Sequence, residues 1–271
     1  MTRRFHFISG LPRSGSTLLS AILRQNPRFH ADMSGPLCGA FNTLQGELSG
    51  SNEYAVFVSD AQRQRMLASL FESYYGPEYE ADVVFDTNRG WCAKMRHLRL
   101  LFPHGKVIAC VRHMSWIIDS VEQLVRKNTL LPSSLFNYQP GGTVYSRADA
   151  LANGEGLVGG PYNALKEAFY GDEAGSLMLL QYETLVSDPA RAIAAVYDFI
   201  GETPYAHDLD NISYQADEFD QRVGTPGLHE VRRKIAVRER MSVLPPDVFR
   251  RFENDAFWLD PSLNPRGVRV V

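Results

Sequence analysis

The chain has 271 residues, of which 44% are apolar and 22% charged, and its formal net charge is −3. This length and apolar content are enough for one full-sized α/β domain with a buried core. The slight acidic excess argues against a nucleic-acid binder, which usually carries a basic surface. The apolar stretch near the N-terminus is too short for a signal peptide, and no apolar run approaches the roughly 18 residues of a membrane span. We therefore expect a cytoplasmic protein with neither nucleic-acid nor membrane partners.

Short apolar runs alternate with longer helical patterns along the chain. Strands are predicted at 5–9, 82–86, 106–111 and 176–181, and each precedes a predicted helix, at 16–25, 91–101, 115–127 and 189–200. Further helices are predicted at 37–48, 60–75, 162–170 and 246–257. This alternation is typical of a mostly parallel sheet with helices on both faces. We therefore predict an α/β fold of the P-loop-like, three-layer type, formed by residues 1–271 as a single domain.

Two segments interrupt the alternation. Residues 129–160 are rich in Gly, Ser and Pro and show little periodicity. A loop of this length in a compact domain usually serves a function, so we predict an irregular loop beside the substrate. Residues 202–243 are polar and contain the basic stretch Arg232-Arg233-Lys234. We predict that this second segment covers a bound ligand.

The strongest local signal is an apolar strand that runs into Gly-Leu-Pro-Arg-Ser-Gly-Ser-Thr at residues 10–17, followed by a helical pattern. The backbone N–H groups of such a turn and the positive end of a helix bind phosphate. Gly10 and Gly15 have the spacing of a Walker A loop, but Ser16 stands at the lysine position and the cation is Arg13, inside the loop. An arginine there is expected to meet the terminal group of a ligand whose phosphate lies in the turn.

A second candidate anion site follows the predicted strand at 106–111. Arg112 stands at the carboxyl end of this strand, where ligands bind in open α/β sheets. Ser120 follows eight residues later, on the second turn of the next predicted helix. The arginine fork and the serine hydroxyl suit a single anion, so we predict that both contact it.

Taken together, these segments resemble PAPS-dependent sulfotransferases, where PAPS is 3′-phosphoadenosine 5′-phosphosulfate, and in particular the bacterial relatives of the tyrosylprotein sulfotransferases. Residues 10–17 resemble the family's 5′-phosphosulfate loop. Residues 101–112 together with Ser120 resemble its 3′-phosphate segment, and residues 181–189 resemble a Tyr-Glu-x-Leu segment whose tyrosine approaches the adenine. The resemblance extends over about residues 5–200.

The resemblance implies transfer of the sulfuryl group from PAPS to an acceptor hydroxyl or amine, with release of adenosine 3′,5′-bisphosphate. It implies PAPS as the sulfate-donor co-substrate, no metal, and a small molecule or peptide as the acceptor; whether the chain forms a homo-oligomer is left open. The implied cofactor-binding residues are Pro12, Arg13, Ser14, Gly15, Ser16 and Thr17 for the 5′-phosphosulfate, Arg112 and Ser120 for the 3′-phosphate, Tyr182 for the adenine, and Leu228 and His229 in the cofactor-covering segment 202–243. Arg13 is also expected to stabilise the charge that develops as the sulfuryl group leaves.

The sequence departs from the family pattern at the catalytic positions. Many relatives carry a lysine after the second strand, where this chain has Thr87; either Arg89 supplies the charge instead, or Arg13 acts alone. Tyrosylprotein sulfotransferases place a glutamate base after the first helix, and residues 30–36 contain no glutamate. The candidates for the base are therefore Asp86, Asp32 and His30, and Asp86 is favoured because it ends an apolar strand at the ligand-binding edge.

Two other functions compete with sulfuryl transfer. A P-loop kinase or NTPase is suggested by the near-Walker loop and by the apolar strand ending in Asp86, which imitates a Walker B strand; the absence of a lysine at Ser16 counts against it. A non-catalytic module that binds PAPS or its bisphosphate is suggested by the missing family lysine and glutamate. Magnesium dependence separates the first alternative from a sulfotransferase, and sulfate transfer to any acceptor excludes the second.

Overall fold

The computed structural model describes residues 3–50, 52–131, 133–136, 142–237 and 240–271. Within these ranges the strands are β1 (Arg4–Gly10), β2 (Phe29–Ala31), β3 (Val83–Thr87), β4 (Val107–Val111), β5 (Leu177–Gln181) and β6 (Arg269–Val270). The helices are α1 (Ser16–Leu23), α2 (Leu37–Glu47), α3 (Asp60–Tyr74), α4 (Met95–Leu101), α5 (Met114–Lys127), α6 (Val144–Ala152), α7 (Gly159–Tyr170), α8 (Tyr182–Ser187), α9 (Pro189–Ile200), α10 (Asp217–Arg222) and α11 (Pro246–Arg251). None of these described helices is both long and apolar enough to cross a bilayer.

The strands form one six-stranded sheet in the order β2-β3-β1-β4-β5-β6, and each neighbouring pair is parallel. The central strand β1 pairs with β3 through Ile8 and Thr87, and with β4 through Gly10 and Cys110. The carboxyl ends of β3, β1 and β4 therefore lie side by side at one edge of the sheet. The segments that follow these three strands meet there.

Each face of the sheet is covered by its own set of helices, because successive strand residues point to opposite sides. In β1, Phe5 and Phe7 belong to a core cluster that includes Phe41 of α2, Phe71 of α3 and further residues of α4, α5 and α7. Ile8 points the other way, into a second cluster formed with residues of α1 and α9. The predicted three-layer α/β fold is confirmed.

The two strands that the sequence did not predict are the shortest ones. β2 has three residues and β6 has two, so neither is long enough to show an alternating pattern. Both lie at the edges of the sheet, where they extend it by pairing with β3 and β5. The predicted strands at 5–9, 82–86, 106–111 and 176–181 correspond to β1, β3, β4 and β5 within one residue at each end.

Several predicted helices have different bounds in the structure. The helix predicted at 91–101 is a 3₁₀ turn (Arg89–Lys94) followed by α4, and the helix predicted at 246–257 ends at Arg251. The segment 129–160 is less irregular than predicted, because Thr143 and Ser146 form a capping box that starts α6 inside it. Residues 132 and 137–141 of that segment lie outside the described ranges.

Candidate active site

The turn between β1 and α1 has the backbone that a phosphate loop requires. Gly10, Arg13 and Gly15 have positive φ angles of 99°, 57° and 93°. A Cβ at Gly10 would lie 2.2 Å from the carbonyl oxygen of Cys110, so only glycine fits there. Arg13 is the single described non-glycine residue with positive φ, an uncommon conformation that is concentrated at functional sites.

Ser14 holds this loop against the sheet. Its buried hydroxyl donates to the carbonyl oxygen of Cys110 at 2.8 Å and contacts that of Leu11. The side chain therefore faces away from the loop's open side, and any ligand contact of Ser14 must come from its backbone. Gly15 caps α1 without a side-chain hydrogen bond, which leaves the first N–H groups of the helix free for a ligand.

The loop opens into a pocket of about 920 Å³ at the carboxyl edge of the sheet. Most of the binding residues predicted from the sequence line this pocket: Pro12, Arg13, Gly15, Ser16, Thr17, Arg112, Ser120, Tyr182, Leu228 and His229. The fold thus brings residues from four distant parts of the chain to one site. Their contact with a cofactor stays a prediction.

Arg13 lies closer to the second anion site than the sequence suggested. Its Nε donates to Ser120 Oγ at 3.2 Å, and its Nη1 donates to the carbonyl oxygen of Leu228. Arg112 Nη1 in turn donates to the Arg13 carbonyl oxygen at 3.4 Å. Burial lowers the pKa of Arg13, and the nearby charge of Arg112 lowers it further. Two guanidinium groups and a hydroxyl in one partly buried place form a cluster suited to a doubly charged anion.

Arg112 is fixed by its aromatic neighbour. Its guanidinium lies over the ring of Tyr182, 4.2 Å from the ring centre, and its Nε is 3.8 Å from Glu183 Oε1. That separation is too long for a hydrogen bond, and the buried Nε has no hydrogen-bond partner among the described residues. Burial lowers the pKa of Arg112, while Tyr182 and Glu183 act in the opposite direction. The side chain is therefore preorganised and still has donor capacity.

The segment after α9 folds back over the pocket. The N–H of His229 donates to Asp220 Oδ2 at 2.8 Å, and its Nδ1 lies 2.6 Å from Asp220 Oδ1. Asp220 is buried, so this pair fixes the turn after α10 in which Leu228 accepts from Arg13. Further along, Asp119 of α5 accepts from Ser242 Oγ and from the Val243 N–H, at 2.8 and 2.7 Å. Residues 219–237 contribute a large part of the pocket wall.

Asp86, the favoured candidate for the base, does not line the pocket. Alternation along β3 places it on the same side as Val84, inside the aromatic cluster, and it is fully buried there. It accepts from the Tyr75 hydroxyl at 2.6 Å and from Trp91 Nε1 at 2.7 Å. Burial raises the pKa of Asp86, against the lowering effect of these two hydrogen bonds. These contacts give Asp86 a structural role, so we do not retain it as the base.

The other two candidates for the base also lie outside the pocket lining. Asp32 is exposed just after β2, and its Oδ1 accepts from the Tyr214 hydroxyl and from the N–H of Met33. His30 packs between the rings of Tyr75 and Tyr79, and burial lowers its pKa. The short strand β2 ends at the edge of the sheet, two strands away from β1, which explains their distance from the loop.

Pocket residues that the sequence did not assign to the site include Ser34, Thr87, Asn88, Trp116, Glu183 and Arg240. Arg89, which the sequence offered only as a substitute charge, also lines the pocket. The signal that could have found Thr87 and Asn88 is their position directly at the carboxyl end of an apolar strand, beside the phosphate loop.

Comparison with known proteins identifies the class to which this fold and pocket belong. A family model described as the sulfotransferase family matches residues 6–206, which is most of the chain. The chain therefore belongs to the sulfotransferase family. None of the curated proteins searched matches it significantly.

One solved structure supports the fold, and two others are similar more weakly. The sulfotransferase domain from the curacin biosynthetic pathway is similar, with a TM-score of 0.52 at 18% identity, covering 93% of this chain and 96% of that one. A sulfotransferase domain from the olefin synthase of Synechococcus PCC 7002 gives a TM-score of 0.48 at 18% identity, covering 93% and 94% of the two chains. A sulfotransferase from Alicyclobacillus acidocaldarius gives 0.49 at 13% identity, covering 82% and 90%. At these identities the first similarity supports the fold alone, and the two weaker ones add no argument.

Proposed function

We propose that this protein transfers the sulfuryl group of PAPS to an acceptor hydroxyl or amine and releases adenosine 3′,5′-bisphosphate. The observation that carries the proposal is the meeting, in one pocket, of a phosphate loop without a Walker lysine and the cluster formed by Arg13, Arg112 and Ser120. A nucleotide phosphorylated at both its 3′ and 5′ positions needs two anion-binding points in a single pocket. Membership in the sulfotransferase family supports this donor.

In this proposal the two phosphates occupy different parts of the site. The backbone N–H groups of the loop and the start of α1 bind the 5′-phosphate. Arg112, Ser120 and Arg13 bind the 3′-phosphate, and Asp220 positions His229 beside them. The ring of Tyr182 lies under the Arg112 guanidinium, and its remaining surface packs against the adenine.

The chemistry is a substitution at sulfur. A lone pair of the acceptor oxygen or nitrogen forms a bond to sulfur while the bond from sulfur to the bridging oxygen breaks. The electron pair of that bond stays on the 5′-phosphate of the bisphosphate, and the acceptor's proton passes to a base or to water. The loop N–H groups face the bridging oxygen in this arrangement and stabilise its growing charge, as preorganised donors do in other transfer reactions.

The kinase alternative loses its main structural support. A Walker B aspartate must reach a magnesium ion beside the phosphates. Asp86, the residue that imitated it, is fully buried and occupied by Tyr75 and Trp91. No other described feature of the pocket favours a nucleoside triphosphate over the bisphosphate.

A thermal-shift comparison tests the donor assignment. Adenosine 3′,5′-bisphosphate should stabilise the protein without magnesium, by about 2.7 kcal/mol at a hundredfold excess over Kd, because it binds only the native state. ATP with magnesium serves as the competing ligand, and Arg112→Ala as the variant with a damaged site. A larger shift with ATP and magnesium than with the bisphosphate would contradict the proposal.

A further inference from the structure

The pocket extends across the carboxyl edge of the sheet, from one core cluster to the other. Leu18, Val231 and Ile235 line the pocket and pack against the cluster that contains residues of α1 and α9. Leu135 and Leu157 also line the pocket, but they pack against the cluster on the opposite face of the sheet, with residues of α2 and α7. The pocket therefore has two ends, with the phosphate loop between them.

The donor proposed above carries its adenine and its sulfuryl group at opposite ends. Tyr182, the proposed adenine contact, lies one helical turn before Leu185, which belongs to the cluster with α1 and α9. With the adenine at that end and the 5′-phosphate in the loop, the sulfuryl group points towards the end lined by Leu135 and Leu157. The acceptor must meet the sulfuryl group, so this second end is the acceptor end of the pocket.

Aliphatic side chains form the walls of the acceptor end. Leu135 lies in the 3₁₀ turn Ser134–Phe136, and the Ser134 N–H donates to the Val223 carbonyl oxygen at 3.1 Å, which brings Val223 beside it. Leu157 lies two residues before α7, which packs against β1 and against the turn that follows β3. Leu135, Leu157 and Val223 are half-buried, so each has apolar surface left to cover. Covering it favours an acceptor with an apolar body.

The charge of the pocket lining is mostly positive. Within the described ranges its acidic residues are Glu183 and Glu230, and its cationic residues are Arg13, Arg89, Arg112, Arg232, Lys234 and Arg240. Both glutamates belong to the nucleotide end: Glu183 Oε1 lies 3.8 Å from Arg112 Nε, and Glu230 follows His229, with its Oε2 3.7 Å from Lys127 Nζ. An ammonium group on the acceptor would therefore be repelled by the site.

Amines and hydroxyls also differ in the lone pair that they offer to sulfur. A primary amine with the pKa of a lysine side chain is neutral in only about one molecule in a thousand at pH 7.4. A hydroxyl keeps its lone pairs without first losing a proton. Its oxygen forms the bond to sulfur while the bond from sulfur to the bridging oxygen breaks; the electron pair of that bond stays on the 5′-phosphate, and the hydroxyl proton passes to water.

We infer that the acceptor is an uncharged hydroxyl compound with an apolar body, bound against Leu135, Leu157 and Val223, an assignment that rests on the proposed function. The apolar body covers the three aliphatic side chains, and the hydroxyl faces the sulfuryl group. The excess of arginine and lysine in the pocket disfavours an amine, and a sugar gains little from aliphatic walls.

Four acceptors with radiolabelled PAPS at pH 7.4 test this assignment: hexan-1-ol, hexylamine, ethanol and glucose. The kcat/KM for hexan-1-ol should exceed that for hexylamine, which has the same chain, by roughly a hundredfold or more, because so little of the amine is neutral. From ethanol to hexan-1-ol, kcat/KM should rise about threefold to fourfold for each added methylene, the factor expected for burying one such group. Glucose should be a poorer acceptor than hexan-1-ol.

Variants of Leu157 connect the preference to the acceptor wall. Leu157→Ala should reduce the gain per methylene, and Leu157→Glu should lower kcat/KM for hexan-1-ol by about tenfold or more while raising the ratio of hexylamine to hexan-1-ol turnover. Leu100→Ala removes an exposed leucine of α4 outside the pocket and is the matched control, expected to behave as wild type. Calorimetry should give each variant a bisphosphate Kd close to that of wild type, which separates a changed wall from misfolding.

The possible failures point to different claims. Equal kcat/KM for hexan-1-ol and hexylamine, or faster transfer to glucose than to hexan-1-ol, would overturn the acceptor class and leave sulfuryl transfer standing. Transfer to none of the four compounds, or an unchanged acceptor preference in both Leu157 variants, would overturn the acceptor assignment as well. Failure of wild type to bind adenosine 3′,5′-bisphosphate would instead overturn the proposed function, and the acceptor assignment with it.

Discussion

At the scale of single residues, the Arg112 side chain is both held in position and left with a free hydrogen-bond donor. It is stacked on Tyr182, and its buried Nε has no hydrogen-bond partner among the described residues. A phosphate that bridges Arg112 and Ser120 would satisfy this donor, which supports the 3′-phosphate site that we propose there.

Replacing Arg112 by alanine should weaken bisphosphate binding by about 2–5 kcal/mol, the cost of removing one partner of a buried charged contact. Calorimetric titration gives this value directly. Arg191→Ala, which removes an exposed arginine at the start of α9, is the control and should bind normally. Normal affinity in a folded Arg112→Ala protein would remove this residue from the 3′-phosphate site.

Arg13 is expected to act on binding as well as on turnover. The sequence alone predicted that Arg13 meets the sulfuryl group, but its hydrogen bond to Ser120 brings it to the cluster that we propose for the 3′-phosphate. Arg13→Ala should therefore lower bisphosphate affinity and kcat by similar factors. Comparing the calorimetric Kd of the bisphosphate with the steady-state kcat of this variant tests the expectation. If Arg13→Ala lowered kcat much more than bisphosphate affinity, the result would indicate that Arg13 contacts the sulfuryl group instead.

At the scale of elements, the position of each strand end decides what its side chains can do. β1 and β4 end beside each other, so Gly10 and Arg112 contribute to one site, whereas Asp86 is turned into the core one residue before β3 ends. β1 also contains a buried histidine, His6, and its protonation makes the stability of the folded protein depend on pH.

Stability should fall as the pH drops from about 6.5 towards 4. The pKa of His6 is lowered from 6.5 to about 4, first by burial and then by the charges of Arg4 and Lys106. The unfolded chain therefore takes up a proton below pH 6.5, while the folded protein resists it until about pH 4. The stabilising contribution is complete above pH 6.5 and is lost through this window, by about 3 kcal/mol in total.

Urea denaturation at pH 7.0 and at pH 4.5 measures this effect. The His6→Gln variant keeps a side chain that can accept from the Lys106 N–H, as His6 Nδ1 does at 3.2 Å, but it does not titrate. It should lose less stability than wild type between the two pH values. An equal loss in both proteins would show that other groups account for the acid sensitivity.

At the scale of the whole molecule, the sequence predicted the fold class and the glycine-bearing turn at residues 10–17, because both depend on local patterns. The strands β1, β3, β4 and β5 are mostly apolar and almost entirely buried, and Gly10 and Gly15 of the loop have positive φ angles that favour glycine. β2 and β6 could not be predicted, since two or three residues carry no periodicity.

The parts of the site that depend on long-range contacts were not predictable in the same way. Nothing local to residues 10–17 shows that the Arg13 side chain turns towards Ser120 and Leu228, because these partners are 107 and 215 residues away. Likewise, Asp86 stands at the expected strand end, and only the packing of Tyr75 and Trp91 shows that it is enclosed.

Transfer of radiolabelled sulfate from PAPS tests the central claim most directly. The assay offers phenols, alcohols, sugars, amines and a tyrosine peptide as acceptors, without magnesium, and compares wild type with Arg112→Ala and Arg191→Ala. We predict labelled product from at least one acceptor together with an equal amount of adenosine 3′,5′-bisphosphate, at a normal rate in Arg191→Ala and a strongly reduced rate in Arg112→Ala. Tight binding of the bisphosphate with no transfer to any acceptor class would contradict the account and identify the protein as a non-catalytic nucleotide-binding module.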